Sequence, residues 1–267
     1  MLQTRVVWKK SLGQHLLHDK NILRKIVEAI APKPGECIVE IGGGTGVLTE
    51  LLAAEPTDVI VVELDTQFVS ILAEKFENQS NVTILPGDIL KLRLNDILPS
   101  EVKAVVAGNL PYNITSPILF HLFEQRDVVS RMVFMVQREV ARRMTAPPGI
   151  KDRSILSILC QFHSDVQVLF PVSRSCFFPV PKVDSAVVEL KIKEIPAGIS
   201  PEKFIKTAKA AFNKRRKMLK NSLKDIAGGN VSRLEGLFDV KRRPEELTID
   251  EFIFITQQLS PNKSNNQ

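Results

Sequence analysis

Cysteine is scarce in this chain. Its three cysteines, Cys37, Cys160 and Cys176, lie far apart. No pair has metal-site or redox spacing, and an odd number argues against a disulfide framework. Each is expected as a small buried apolar side chain, in a reducing compartment. No apolar run approaches the ~18 residues that a membrane-spanning helix requires. The opening stretch, MLQTRVVWKKSLGQ, lacks the apolar segment of a secretory signal, so a cytoplasmic location is expected. No internal repeat and no long low-complexity segment interrupts the chain. Neither a metal nor a membrane partner is expected.

What is present is ordinary in amount and uneven in placement. Hydrophobic residues make up 44% and charged residues 25%, values typical of a globular protein. The 267 residues suit one large domain or a large and a small one, at roughly 100–200 residues each. Residues 1–199 balance 22 basic against 22 acidic side chains. Residues 200–243 carry 13 Lys/Arg against four acids, and 244–267 fall to −3. A basic block inside a foldable segment fits either a polyanion partner or a solvated helical face.

Strand-like and helix-like segments alternate from residue 19 onward. DKNILRKIVEAIA (19–31) is a helix with Asp19 as N-cap, closed by Pro32 and Pro34. CIVEI (37–41), DVIVVELD (58–65), VTIL (82–85), KAVVAGNL (103–110) and RMVFMVQ (131–137) read as apolar strands with helices between them. Such a series predicts an α/β fold, a parallel sheet covered on both faces in the Rossmann-like manner. A further amphipathic helix is expected over 152–164. VQVLF (166–170) and SAVVELKI (185–192) suit an antiparallel pair, with Pro171, Pro179 and Pro181 breaking the chain between them. Past Pro196-Ala197-Gly198 the pattern becomes helical and basic. The expected division is a 1–198 catalytic domain, a 199–259 helical domain and a disordered 260–267 tail.

Chemistry concentrates at strand ends. Gly42-Gly43-Gly44-Thr45-Gly46 follows a strand and opens a helix, and glycines there let a ligand approach the backbone. A dinucleotide fingerprint wants glycine or alanine where Val47 stands, and a phosphate loop wants a Lys-Ser/Thr that is absent. Glu63 closes the second strand, 21 residues beyond Gly42, where an acid binds ribose hydroxyls in doubly wound folds. Gly87-Asp88 closes the third. A nucleoside site without a phosphate clamp suits S-adenosylmethionine, and its cationic sulfonium suits an acidic rim.

The fourth strand ends in Asn109-Leu110-Pro111-Tyr112. The Asn109 amide oxygen and the Leu110 carbonyl, aimed by Pro111, form two acceptors for an exocyclic amine. Two acceptors disfavour the conjugated planar amine and expose its lone pair. Tyr112, the one tyrosine of the chain, offers a stacking platform for a base. That base has to be single-stranded or flipped out. Phe177 reads, by itself, as a core side chain or as a second ring over the base.

In AFNKRRKMLKNSLK (211–224) a helix would place Phe212, Met218, Leu219 and Leu223 on one apolar face. Lys214, Arg215, Arg216, Lys217, Lys220 and Lys224 would then project toward phosphates. Arg138, Arg142 and Arg143 extend the basic surface.

These motifs resemble the KsgA family of ribosomal RNA adenine dimethyltransferases, over nearly the whole chain. KSLGQHLL, EIGGGTG, VVELD, GDIL, GNLPYNITSPIL, FFPVPKVDSAVV, AFNKRRKMLKNSL and RRPEELTIDEF follow in the family's order. The resemblance implies cofactor contacts at His15, Leu17, Gly42, Glu63, Asp88 and Asn109, with Gly44, Leu64 and Ile89 in the same site. It implies an adenine pocket of Asn109, Leu110, Pro111, Tyr112 and Phe177. The implied substrate is two adjacent adenines near the 3′ end of small-subunit rRNA in the pre-30S particle, acted on by a monomer. His15 stands where the family usually has Asn, and Gly43 where it has proline, which is expected to relax the turn slightly. Two other readings stay open. One is a large-subunit enzyme of the macrolide-resistance type; the other is a non-catalytic RNA-binding assembly or transcription factor on the same fold.

Overall fold

The computed structural model describes residues 15–213, 217–227 and 234–259. The described residues divide into two compact units, one of 15–141 with 165–192 and one of 142–164 with those beyond 192.

The first unit is built on strands β2 (Cys37–Ile41), β3 (Asp58–Glu63), β4 (Val82–Pro86), β5 (Ala104–Asn109), β6 (Val129–Gln137), β7 (Ser164–Val172) and β9 (Ser185–Ile192). Their order in the sheet is β4-β3-β2-β5-β6-β9-β7. The first five are parallel, and β9 runs antiparallel to β6. Helices α1 (Lys20–Ile30), α2 (Val47–Ala53), α3 (Thr66–Lys75) and α4 (Thr115–Glu124) connect the early strands, and α5 (Arg138–Met144) continues from β6. Alternate strand residues Ile38, Val59, Val61, Val105, Val133 and Val187 pack with Leu23, Ile26, Ile30, Leu48, Leu52 and Leu72 of α1–α3. The intervening Val39, Ile60, Val62, Val106 and Phe134 are buried as well, so the central strands β2, β3, β5 and β6 are covered on both faces. This is the double coverage that near-continuous apolar strands require.

Local signals explain the element ends. The Asp19 carboxylate accepts the N–H groups of Asn21 and Ile22 at 2.9 and 3.1 Å, two of the donors that a helix start leaves unpaired. Two details differ from the sequence reading. Pro171 does not break the chain; it lies inside β7, which is tolerated because β7 is the last strand at its sheet edge. A two-stranded ladder also appears, with β1 (Leu16–Leu17) antiparallel to β8 (Phe177–Phe178).

The second unit is helical: α6 (Ile155–His163), α7 (Pro201–Asn213), α8 (Leu219–Ser222), α9 (Lys224–Ala227) and α10 (Ile249–Leu259). Its core is aromatic. Phe162 of α6 stacks on Phe204 of α7 at 3.6 Å between ring centroids, and Phe204 meets Phe252 of α10 edge-on at 6.3 Å. That packing groups residues 142–164 with the C-terminal helices, whereas the sequence reading drew one boundary near 198. The single helix expected over 211–224 is also corrected. Met218 has extended backbone (ψ 152°) and caps the short α8. It is 44% exposed, while Leu219 and Leu223 are buried. An extended residue at 218 breaks the period that would have aligned these side chains on one face.

Candidate active site

The parallel register brings the strand ends together. Ile41 pairs with Val62, and Glu63 with Pro86. The ladder continues past the strands through Gly42 N–H to the Val62 carbonyl and Gly87 N–H to the Glu63 carbonyl, both 2.9 Å. A cavity of about 280 Å³ opens there, lined by His15, Gly42, Gly44, Glu63, Leu64, Asp88, Ile89, Asn109, Leu110, Pro111 and Tyr112 among others. Those eleven were all named from sequence.

The glycine turn is shaped for close approach. Gly44 has φ +55° and its N–H donates to Glu63 Oε2 at 3.1 Å. A Cβ at Gly43 would sit 2.5 Å from Val61 Cγ1. The turn therefore packs tightly against Val61 of β3 at this position.

Glu63 Oε1 accepts the Asp65 N–H at 2.8 Å. Each carboxylate oxygen thus holds one backbone donor and keeps acceptor capacity for a hydroxyl pair. Burial pushes the Glu63 carboxyl above its ordinary value, against the opposing N–H groups of Asp65 and Gly44. Asp88 accepts the Leu90 N–H at 3.0 Å and caps a 3-10 turn. Beneath the turn, Glu40 is buried and accepts the Thr49 hydroxyl at 2.6 Å. Burial, with Glu63 nearby, pushes its carboxyl up to about 7.

Asn109 lies at the end of β5. Its Nδ2 donates to the His15 carbonyl at 2.7 Å, which leaves Oδ1 as the acceptor end of the amide. Leu110 donates its N–H to the Met135 carbonyl at 3.1 Å, fixing the backbone ahead of Pro111. Tyr112 is half-buried, with its hydroxyl 2.8 Å from Ser185 Oγ. Burial raises its phenol, so the ring is uncharged at neutral pH.

Two expected site residues lie elsewhere. Phe177 is 1% exposed within the apolar core of the first unit, the alternative its sequence left open. Leu17 belongs to the same core and borders a smaller cavity beside the glycine turn. The sequence reading missed the apolar wall formed by Val62, Phe68, Ile114 and Ile118. Ile114 and Ile118, four residues apart just after the Asn-Leu-Pro-Tyr turn, carried a helical-spacing signal for it.

Of the expected basic residues, Arg138, Arg142, Arg143 and Lys217 are exposed. Arg142 lies 3.4 Å from Asp152, and Lys220 is paired with Glu235 at 2.5 Å. Lys214, Arg215 and Arg216 lie outside the described residues. Helix α7 adds exposed Lys203, Lys206 and Lys209, opposite buried Phe204, Ala208 and Ala211. Among the described residues, no three His, Cys, Asp or Glu side chains gather around a metal position. No described helix is long and apolar enough to cross a membrane.

Known proteins resemble this chain in sequence and fold. The ribosomal RNA adenine dimethylase family profile matches residues 6–257. The chain is 44% identical over 260 residues to ribosomal RNA small subunit methyltransferase A of Desulfitobacterium hafniense, covering 95% of this chain and 92% of that one. The protein of the same name from Geobacter metallireducens is 40% identical over 261 residues, covering 94% and 95%. A dimethyladenosine transferase from Plasmodium falciparum superposes with a TM-score of 0.78 at 28% identity, covering 91% and 95%. The 23S rRNA methyltransferase ErmE, at 23% identity and a TM-score of 0.69 over 91% and 99%, is alike in fold. With a family match over almost its whole length and such identity to full-length relatives, the chain belongs to the ribosomal RNA adenine dimethylase family.

Proposed function

We propose that this protein transfers methyl groups from S-adenosylmethionine to N6 of two adjacent adenines near the 3′ end of small-subunit rRNA, each twice, during assembly of that subunit. The observation that supports it most is the Asn109 amide, whose Nδ2 donates to the His15 carbonyl and so leaves Oδ1 as its acceptor end.

The residues present fit the cofactor. Glu63 keeps acceptor capacity for the ribose diol, Asp88 stands on the next strand end, and the Gly42–Gly46 turn leaves room for a nucleoside. Nothing in the turn offers a phosphate clamp. Bound there, S-adenosylmethionine supplies an electrophilic methyl group. In the first transfer Asn109 Oδ1 and the Leu110 carbonyl accept hydrogen bonds from the two amine N–H groups and turn the nitrogen lone pair out of conjugation; after each transfer the alkylated nitrogen releases one proton to solvent. Tyr112 stacks on the base, and the apolar wall of Phe68 and Ile118 excludes water. Positioning and electrostatics account for most of the rate, without a dedicated base. Exposed Lys203, Lys206, Lys209 and Lys217 serve phosphate contacts in the RNA.

The test is methyl transfer from labelled cofactor to small subunits lacking the modification, read by mass spectrometry of the rRNA. Dimethyladenosine in a 3′-terminal fragment is the expected result. Transfer only to large-subunit rRNA, or RNA binding without transfer, would overturn the reading. Asn109→Ala should lower turnover about 100-fold, from ~3 kcal/mol of lost transition-state stabilisation, with little change in cofactor affinity. Unchanged turnover would remove Asn109 from the mechanism.

A further inference from the structure

The geometry points to His15 as a positioning residue for the amine-accepting amide, a role distinct from contact with the cofactor. One residue joins Asn109 and Tyr112 of the site to Pro179 outside it. The His15 carbonyl accepts Asn109 Nδ2–H at 2.7 Å. Its Nδ1 lies 2.7 Å from the Pro179 carbonyl. A carbonyl only accepts, so Nδ1 carries the proton in this contact. Its ring stacks on Tyr112 with centroids 5.5 Å apart and planes 26° apart, an offset arrangement that aromatic rings favour.

These contacts have one consequence for the chemistry. An Asn amide can turn over, exchanging its donor and acceptor ends. With Nδ2 held by the His15 carbonyl, only Oδ1 is presented to an incoming amine. With the opposite orientation, Asn109 would place N–H groups against the amine protons and repel them. The His15 carbonyl can do this only while its residue stays in place. Its side chain supplies that anchorage, by hydrogen bonding to Pro179 and by packing on Tyr112. Tyr112 is held in turn by Ser185. The β1–β8 pairing, with Leu16 opposite Phe178, brings His15 and Pro179 together. His15 therefore acts on the reaction through Asn109. This rests on the reading of Asn109 as amine acceptor.

The experiment is a double-mutant cycle on the full chain, with single-turnover methyl transfer to unmodified small subunits and cofactor affinity by calorimetry. His15→Leu removes the Pro179 hydrogen bond and leaves apolar bulk against Tyr112. Its rate should fall roughly 10- to 100-fold, with cofactor Kd changed by less than about threefold. His15→Asn restores an N–H donor toward Pro179 and should recover most of that rate. In the Asn109→Ala background, His15→Leu should cost almost nothing further, because the group it orients is gone. Three results would overturn the assignment: a raised cofactor Kd with an unchanged rate, a rate not recovered by Asn, or losses that multiply in the double variant. If Asn109→Ala alone kept its rate, the acceptor reading would fall and this assignment with it. An additive cycle on a slow Asn109→Ala variant would remove only the role of His15.

Discussion

Glu40 gives a sharp test of the site's electrostatics. It is 2% exposed near the end of β2, where it accepts a hydrogen bond from the Thr49 hydroxyl. Burial raises its carboxyl from 4.5 to about 7 in the folded chain. Between those values the folded state holds a proton that the unfolded state has released, so stability falls as pH rises through that window. At 1.36 kcal/mol per unit, the loss is roughly 3 kcal/mol by pH 8 and under about 1 kcal/mol at pH 5. Glu40→Gln abolishes the titration and keeps an acceptor for Thr49. The variant should match the parent within about 1 kcal/mol at pH 5 and exceed it by roughly 3 kcal/mol at pH 8. Denaturant unfolding of both proteins at the two pH values measures the difference. A gap that stays constant with pH would refute the argument, because it would show that Glu40 ionises alike in both states.

Three further outcomes follow from individual contacts. Glu63→Gln leaves one amide oxygen for two backbone donors, so Gly44 or Asp65 N–H loses its partner at a cost of ~1.5–3 kcal/mol. Cofactor Kd should rise about 10- to 100-fold by calorimetry, and an unchanged Kd would exclude Glu63 from the site. Glu36 accepts two hydrogen bonds from Arg131, at 2.6 and 2.8 Å, and these hold its carboxyl below the ordinary range. That stabilisation is complete above the unfolded carboxylate pKa and is lost as pH falls through the lowered folded value. Glu36→Gln should thus cost about 1.5–3 kcal/mol at pH 7, with the gap closing in acid. Phe204→Ala removes a fully buried ring stacked on Phe162 and should cost about 3–5 kcal/mol in unfolding experiments.

The strand-end residues were legible because a parallel sheet aligns its carboxyl ends. Once CIVEI, DVIVVELD, VTIL and KAVVAGNL are read as adjacent parallel strands, Gly42, Glu63, Asp88 and Asn109 must share one rim. No long-range contact has to be guessed. Phe177 shows the limit of that reasoning. Its motif names a residue, but Phe177 and Phe178 alternate across a two-residue strand, and only the pairing with Leu16–Leu17 decides which one turns inward. Here Phe177 is buried and Phe178 is 59% exposed. The break at Met218 was hidden for a related reason. Apolar spacing alone cannot distinguish a continuous helix from short helices joined by an extended residue, because both bury Leu219 and Leu223. His15 was legible as a site residue, but its contacts were not. Its carbonyl, ring and imidazole N–H meet residues 94, 97 and 164 positions away, and spacing rules do not reach that far. Local periodicity therefore locates the residues that a sheet presents at its edge. The contacts that orient those residues come from chain segments brought together by the fold, and these emerge only with coordinates.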